Sequence, residues 1–126
     1  MKYLTAKQIM ALNQKILDKL EHYPSRFQSD VKEALEEIID RARSGNDAST
    51  IAATYLYELN RRHVFSSANK RTAFLASEAF LRENGIKFNI SDEQAASLSK
   101  DVRNGKYTFE ELRDYIEKNT SHGATA

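Results

Sequence analysis

The chain has 126 residues, 40% hydrophobic and 29% charged, with 19 Lys and Arg against 18 Asp and Glu for a net charge of +1. That composition fits one ordinary folded domain spanning residues 1–126, not a disordered chain, and its near-zero charge argues against nonspecific binding to nucleic acid or anionic lipid. Cysteine is absent, which excludes disulfides and thiolate metal sites and fits a reducing cytoplasm; no signal peptide or membrane span is visible.

One proline and four glycines are too few turn residues for an all-β chain of this size, so an all-α bundle of about six helices is expected. Thr5-Ala6-Lys7-Gln8 has the pattern of a capping box, with Leu4 and Ile9 as a hydrophobic staple. Ile9, Leu12, Ile16 and Leu20 then recur at helical spacing. Residues 21–29, with His22, Tyr23 and Pro24, read as a loop. Asp30 with Glu33 is expected to cap a second helix, whose apolar stripe is Val31, Ala34, Leu35, Ile38 and Ala42, and Gly45 to stop it. Asp47 heads a third helix to about Arg62. Its stretch from Ile51 to Leu59 is apolar nearly all round, as in a helix buried on most sides. After a break at Ser66-Ser67-Ala68, a fourth helix opens near Asn69 and ends at Asn84-Gly85, with Ala73, Phe74, Ala76, Phe80 and Leu81 covering several faces. Phe88-Asn89-Ile90 reads as extended. Ser91 with Gln94 opens a fifth helix that ends before Asn104-Gly105. Thr108 with Glu111 opens a sixth, with Phe109, Leu112 and Ile116 inward. From about Thr120 the chain is small and polar and is expected to fray.

Chemistry concentrates in the loop between the two central helices, His63-Val64-Phe65-Ser66-Ser67-Ala68-Asn69-Lys70-Arg71. The first N–H groups of a helix have no partner within it and sit at the positive end of its dipole, which suits phosphate. Lys70 and Arg71 oppose that dipole, so helix stability does not account for them, whereas a bound anion would. A histidine beside such a site is suited to general-base work. The plainer alternative is a solvated histidine with a charged rim of Arg61, Arg62, Lys70 and Arg71.

The same nine residues resemble the Fic/Doc motif His-x-Phe-x-(Asp/Glu)-x-Asn-x-Arg, with His63, Phe65, Asn69 and Arg71 in register. Asn-Lys-Arg-Thr at 69–72 resembles the death-on-curing (Doc) branch, the toxins of toxin–antitoxin pairs. Leu4-Thr5-Ala6-Lys7-Gln8-Ile9 and Phe80-Leu81-Arg82-Glu83-Asn84-Gly85 resemble it too. The resemblance implies a compact Fic/Doc-type bundle in which His63 deprotonates a hydroxyl of a target protein and Phe65 anchors the loop. It implies that Ala68, Asn69, Lys70 and Arg71 bind the phosphates of ATP through backbone amides and side chains, with Mg²⁺ bridging those phosphates. Doc relatives pass the terminal phosphate of ATP to elongation factor Tu and stop translation; Fic relatives transfer AMP.

Two positions depart from the motif. The second arginine of the full Fic pattern falls at Phe74 here, which favours phosphate over AMP transfer. The acidic position, a Mg²⁺ ligand, is Ser67. A hydroxyl can ligate Mg²⁺ but brings no charge, so a weakened enzyme and a degenerate binding module both remain open. No (Ser/Thr)-x-x-x-Glu-(Gly/Asn) inhibitory run occurs, so the resemblance implies a separate antitoxin that folds an amphipathic helix into a groove of this domain. Of the other candidates, His22 reads as an exposed loop histidine, although relatives can dock the target segment on such a loop. Tyr55 and Tyr57 read as packing residues, Glu58 as an ion-pair partner, and His122 has no assigned role.

Overall fold

A computed structural model describes residues 1–20 and 30–122. Within them run α1 (Ala6–Leu20), α2 (Val31–Arg43), α3 (Ala48–Arg61), α4 (Asn69–Glu83), β1 (Ile86–Phe88), α5 (Asp92–Arg103), α6 (Phe109–Lys118) and β2 (Thr120–His122). The architecture is all-α apart from the two short strands. The loop reading around His22 falls outside the described residues.

Local chemistry fixes most helix starts. The Thr5 hydroxyl accepts from the Gln8 amide at 3.1 Å while the Thr5 amide donates to the Gln8 side chain at 2.8 Å. Ser91 with Gln94 and Thr108 with Glu111 form the same reciprocal box on α5 and α6. Asp47, in extended conformation, caps α3 by accepting from the Thr50 amide at 2.8 Å. Asp30 does not do the same for α2. Its backbone (φ −94°, ψ 0°) lacks the extended geometry that aims a capping carboxylate, and it makes no side-chain cap bond.

The centre of the bundle is α3, which packs against α2, α4, α5 and α6, while α4 also meets α1, α5 and β1. Ile51 to Leu56, Leu59 and Asn60 are all buried, so α3 presents no wide solvent face. The Tyr55 ring lies 5.5 Å from that of Phe80, and Tyr57 meets Phe109 edge-on at 5.7 Å. Glu58 turns outward to Arg41 of α2. On α1 the buried face is Ile9, Asn13, Ile16 and Leu17, with Leu12 only partly covered. Ile9 and Ile16 are thus inward as expected, and a polar Asn stands among them.

Two kinds of glycine serve the turns. Gly85 and Gly105 follow α4 and α5 with φ of +73° and +75°, the left-handed geometry of a helix exit. Gly45 acts by its small size: a Cβ there would lie 2.9 Å from Ile51 Cγ1 and 3.2 Å from the Ala42 carbonyl oxygen. The expectation that the chain frays from about Thr120 needs correction. Thr120–His122 pairs antiparallel with Ile86–Phe88, Phe88 opposite Thr120. That strand also begins earlier than the Phe88–Ile90 segment expected to be extended. No helix among the described residues is long and apolar enough to cross a membrane.

Asp47 links two elements. Its carboxylate also accepts from Arg113 of α6 at 2.8 Å, and these bonds, the Thr50 amide foremost, lower its pKa from 3.8 to about 2. A depressed carboxylate stabilises the fold above its unfolded pKa and loses that contribution as pH falls through the folded value. Asp47→Ala should cost about 1–2 kcal/mol at neutral pH, the range of a lost N-cap. Urea unfolding of both proteins at several pH values should show that gap narrowing between pH 3.8 and about 2; a gap independent of pH would refute the charge contribution.

Candidate active site

The loop from His63 to Ala68 is held by one buried side chain. Asn69, 5% exposed, accepts from the Phe65 amide through Oδ1 at 2.9 Å and donates from Nδ2 to the Phe65 carbonyl at 2.8 Å. This pair satisfies both backbone groups of a buried residue, which would otherwise be costly. The Phe65 ring is 3% exposed and Val64 7%, so the middle of the loop sits in the core. A second buried amide ties down the far side. Asn13 of α1 donates to the Ser67 carbonyl at 2.9 Å and to the Thr72 hydroxyl at 3.1 Å.

Backbone strain marks both ends of the loop. His63 has φ +49° and Ala68 φ +63°, the only non-glycine residues with positive φ among those described. Left-handed geometry at a Cβ-bearing residue costs roughly 1–2 kcal/mol and persists where surrounding packing imposes it. At Ala68 the reversal lets the chain enter α4 without a capping side chain. Ala68 is the N-cap, its carbonyl accepts from the Thr72 amide at 3.0 Å, and it has no side-chain oxygen to cover the first turn. The amides opening α4 therefore lack the side-chain acceptor supplied at α1, α3, α5 and α6.

The first turn of α4 carries no acidic residue. Lys70 and Arg71 are exposed there, and neither forms an ion pair among the described residues. They line a cleft of about 610 Å³ between α4 and α5, together with Phe74, Asp92, Ser99 and Lys100. Ser99 is 3% exposed and its hydroxyl has no hydrogen-bond partner. The cleft thus combines cationic groups with an apolar wall and one unused buried hydroxyl. The other two arginines of the charged rim are engaged elsewhere: Arg62 pairs with Glu37 of α2 at 2.7 Å, and Arg61 stacks over the Tyr57 ring at 5.0 Å.

His63 is exposed at the end of α3, and its Nδ1 lies 3.4 Å from Asn69 Nδ2 and 3.0 Å from Arg103 Nη1. The structure therefore joins His63, Phe65 and Asn69 in one hydrogen-bonded loop and puts Lys70 and Arg71 in the adjoining cleft. The Asn69 side chain holds the Phe65 backbone and turns its Nδ2 towards His63 as well. Ser67 is partly buried, with its carbonyl held by Asn13. Among the described residues no three His, Asp or Glu side chains cluster to hold a metal. A divalent ion here would depend chiefly on ligand phosphates and water, as Mg²⁺ commonly does.

Sequence reasoning missed Asn13, Thr72, Ser99 and Arg103. Asn13 carried a readable signal, a polar residue one turn from both Ile9 and Leu17 on a buried face. Arg103 carried none, since basic residues are ordinary in a last helical turn.

Two substitutions test this construction. Asn69→Ala removes both side-chain hydrogen bonds to the Phe65 backbone and should cost about 1–3 kcal/mol in chemical denaturation. Ala68→Gly relieves the left-handed strain and should add about 0.5–1 kcal/mol, after the entropy glycine gains in the unfolded chain. Equal stability of wild type and Asn69→Ala would remove the loop strut, and a destabilised Ala68→Gly would remove the strain.

A model of the Fic/DOC family matches residues 3–81, a span that includes α1 to α3, the whole loop and α4 as far as Leu81. The chain is also similar to the "Protein kinase doc" of Escherichia phage P1, 29% identical over 124 residues that span 94% of this chain and 95% of that protein. With a match that covers well over half its length and contains every residue of the strained, uncapped loop, the chain belongs to the Fic/DOC family.

Proposed function

We propose that the chain is a Doc-like toxin that transfers the terminal phosphate of ATP to a hydroxyl of a target protein. The observation that carries this reading is the opening of α4: backbone amides without a side-chain cap, two unpaired cations in the first turn, and a histidine held beside them. A kinase as relative supports the same reaction class. Elongation factor Tu, in the cytoplasm, is the proposed target on the resemblance to the Doc branch.

The chain's residues fit the phosphates of ATP. The amides of Asn69, Lys70 and Arg71 would face an anion bound at the helix start, and the Lys70 and Arg71 side chains would add charge. The cleft wall at Phe74, with unpartnered Ser99 nearby, would receive the nucleoside. In the transfer, the target hydroxyl oxygen bonds to the terminal phosphorus as the bond from phosphorus to the bridging oxygen of ADP breaks. The hydroxyl proton passes to His63 and ADP departs. Magnesium would neutralise the phosphate charge when bound, and Ser67 stands at the motif position whose side chain would contact it. Phe74, stacked on Phe88 at 5.8 Å, leaves no second arginine to hold a nucleotide tail at that position, which supports phosphate over AMP transfer.

A separate antitoxin is the proposed restraint. The strip between α1 and α2, with Met10 and Ala11 between Lys7 and Lys32, suits an amphipathic helix with acidic flanks. The second reading, a binding module without turnover, draws on Ser67 alone, because the site lacks the carboxylate that the motif supplies.

Single-turnover transfer from labelled ATP to elongation factor Tu, across a Mg²⁺ titration, separates the two. Wild type should transfer slowly, Ser67→Asp about 10-fold or more faster, and His63→Ala in either background about 10²–10⁴-fold slower. If Ser67→Asp binds ATP and still transfers nothing, the chain is a binding module.

A further inference from the structure

The imidazole of His63 meets two donors at the same nitrogen. Arg103, in the last turn of α5, places Nη1 3.0 Å from Nδ1. Asn69 Nδ2 approaches Nδ1 at 3.4 Å. Neither donor is open to reassignment. A guanidinium has only N–H groups to offer, and the Asn69 amide is oriented by the Phe65 amide on its oxygen and the Phe65 carbonyl on its nitrogen. Nδ1 is therefore the acceptor. Neutral His63 then carries its proton on Nε2, because the bond made by one ring nitrogen decides the state of the other.

The helix dipole gives a reason for a cation in the last turn of α5. It gives none for one directed at an imidazole 40 residues away in sequence, and among the described residues Arg103 has no carboxylate partner. We propose that Arg103 is a positioning residue that locks His63 with Nδ1 as acceptor and Nε2 protonated, so that neither ring nitrogen can take a proton until the guanidinium leaves. Nε2 already holds a proton, and Nδ1 has its lone pair engaged by a fixed positive charge. The lock opens when an anionic group of a ligand draws the guanidinium away, which frees Nδ1 and lets the tautomer change. For the catalytic consequence, this inference rests on the phosphotransfer reading above; for the tautomer it does not.

The test is nitrogen-15 NMR of the imidazole in the full chain, for wild type, Arg103→Met and Arg103→Lys. It is read at a pH where His63 is neutral. Wild type should show Nδ1 unprotonated and hydrogen-bonded and Nε2 protonated. Arg103→Met keeps the length of the side chain but removes the donor, and should move the Nδ1 resonance towards that of a free, exchanging imidazole. Arg103→Lys restores a donor and should restore much of the wild-type shift, a rescue that a purely packing role would not produce. The same three proteins then go into single-turnover transfer with Mg-ATP, where Arg103→Met should be about 3–10-fold faster than wild type. A protonated Nδ1 in wild type, or an Nδ1 shift that ignores Arg103→Met, overturns the proposal. Nitrogen shifts that follow the donor while no variant transfers phosphate uphold the lock and instead remove the phosphotransfer reading. Shifts that follow the donor with a slower Arg103→Met enzyme overturn the lock and make Arg103 a contributor to the reaction itself.

Discussion

The paired hydrogen bonds between the Asn69 side chain and the Phe65 backbone are the constraint on which the site depends. The seven-residue connection between two buried helices must bury polar backbone, and an unpaired buried amide or carbonyl costs about 1–3 kcal/mol. Asn69 meets both demands from the first residue of the next helix. It can do so only if the chain enters α4 steeply, and the left-handed Ala68 is the geometric consequence. An extended Ser, Thr or Asp N-cap would cover the first amides; a left-handed alanine leaves them uncovered. Anchoring the loop and leaving the amides for an anion are thus two results of one arrangement.

The packing around this pair explains its rigidity. α3 is buried along most of its length and α4 is sandwiched between α1, α3 and α5, so the two helices that bracket the loop are the least free to move. Asn13 joins α1 to the far side of the loop and to α4 through Ser67 and Thr72. Preorganisation of this kind lets a helix terminus hold charge without reorganising when the ligand arrives. The chemistry that remains adjustable is at the exposed rim, where Lys70, Arg71, Arg103 and the imidazole of His63 are free to respond to a ligand.

Most of the frame was legible from sequence, because short-range chemistry decides it. The capping boxes at Thr5, Ser91 and Thr108 each act over three residues, and the apolar girth of 51–59 announced a central helix. Asp30 had the right residue type and the wrong backbone angles, which no sequence pattern records. β2 was read as a frayed tail because Thr120, Ser121 and His122 are polar; its order comes from an edge at Ile86–Phe88 that is distant in the chain. At the site, residue types and spacing indicated the loop and the helix that opens after it. They did not reveal that the Asn69 side chain holds the Phe65 backbone, which only the folded turn shows. Arg103 became visible only when α5 brought it across to His63.

The central claim is that the opening amides of α4 are available to an anion while the Phe65 amide is not. Backbone amide shifts of nitrogen-15-labelled protein, followed as ATP without metal is added, test it most directly. The account predicts saturable shifts at Asn69, Lys70 and Arg71, with Phe65 unmoved because Asn69 Oδ1 already holds its N–H. Saturable shifts elsewhere that leave those three amides in place, or a Phe65 amide that moves with them, would contradict it.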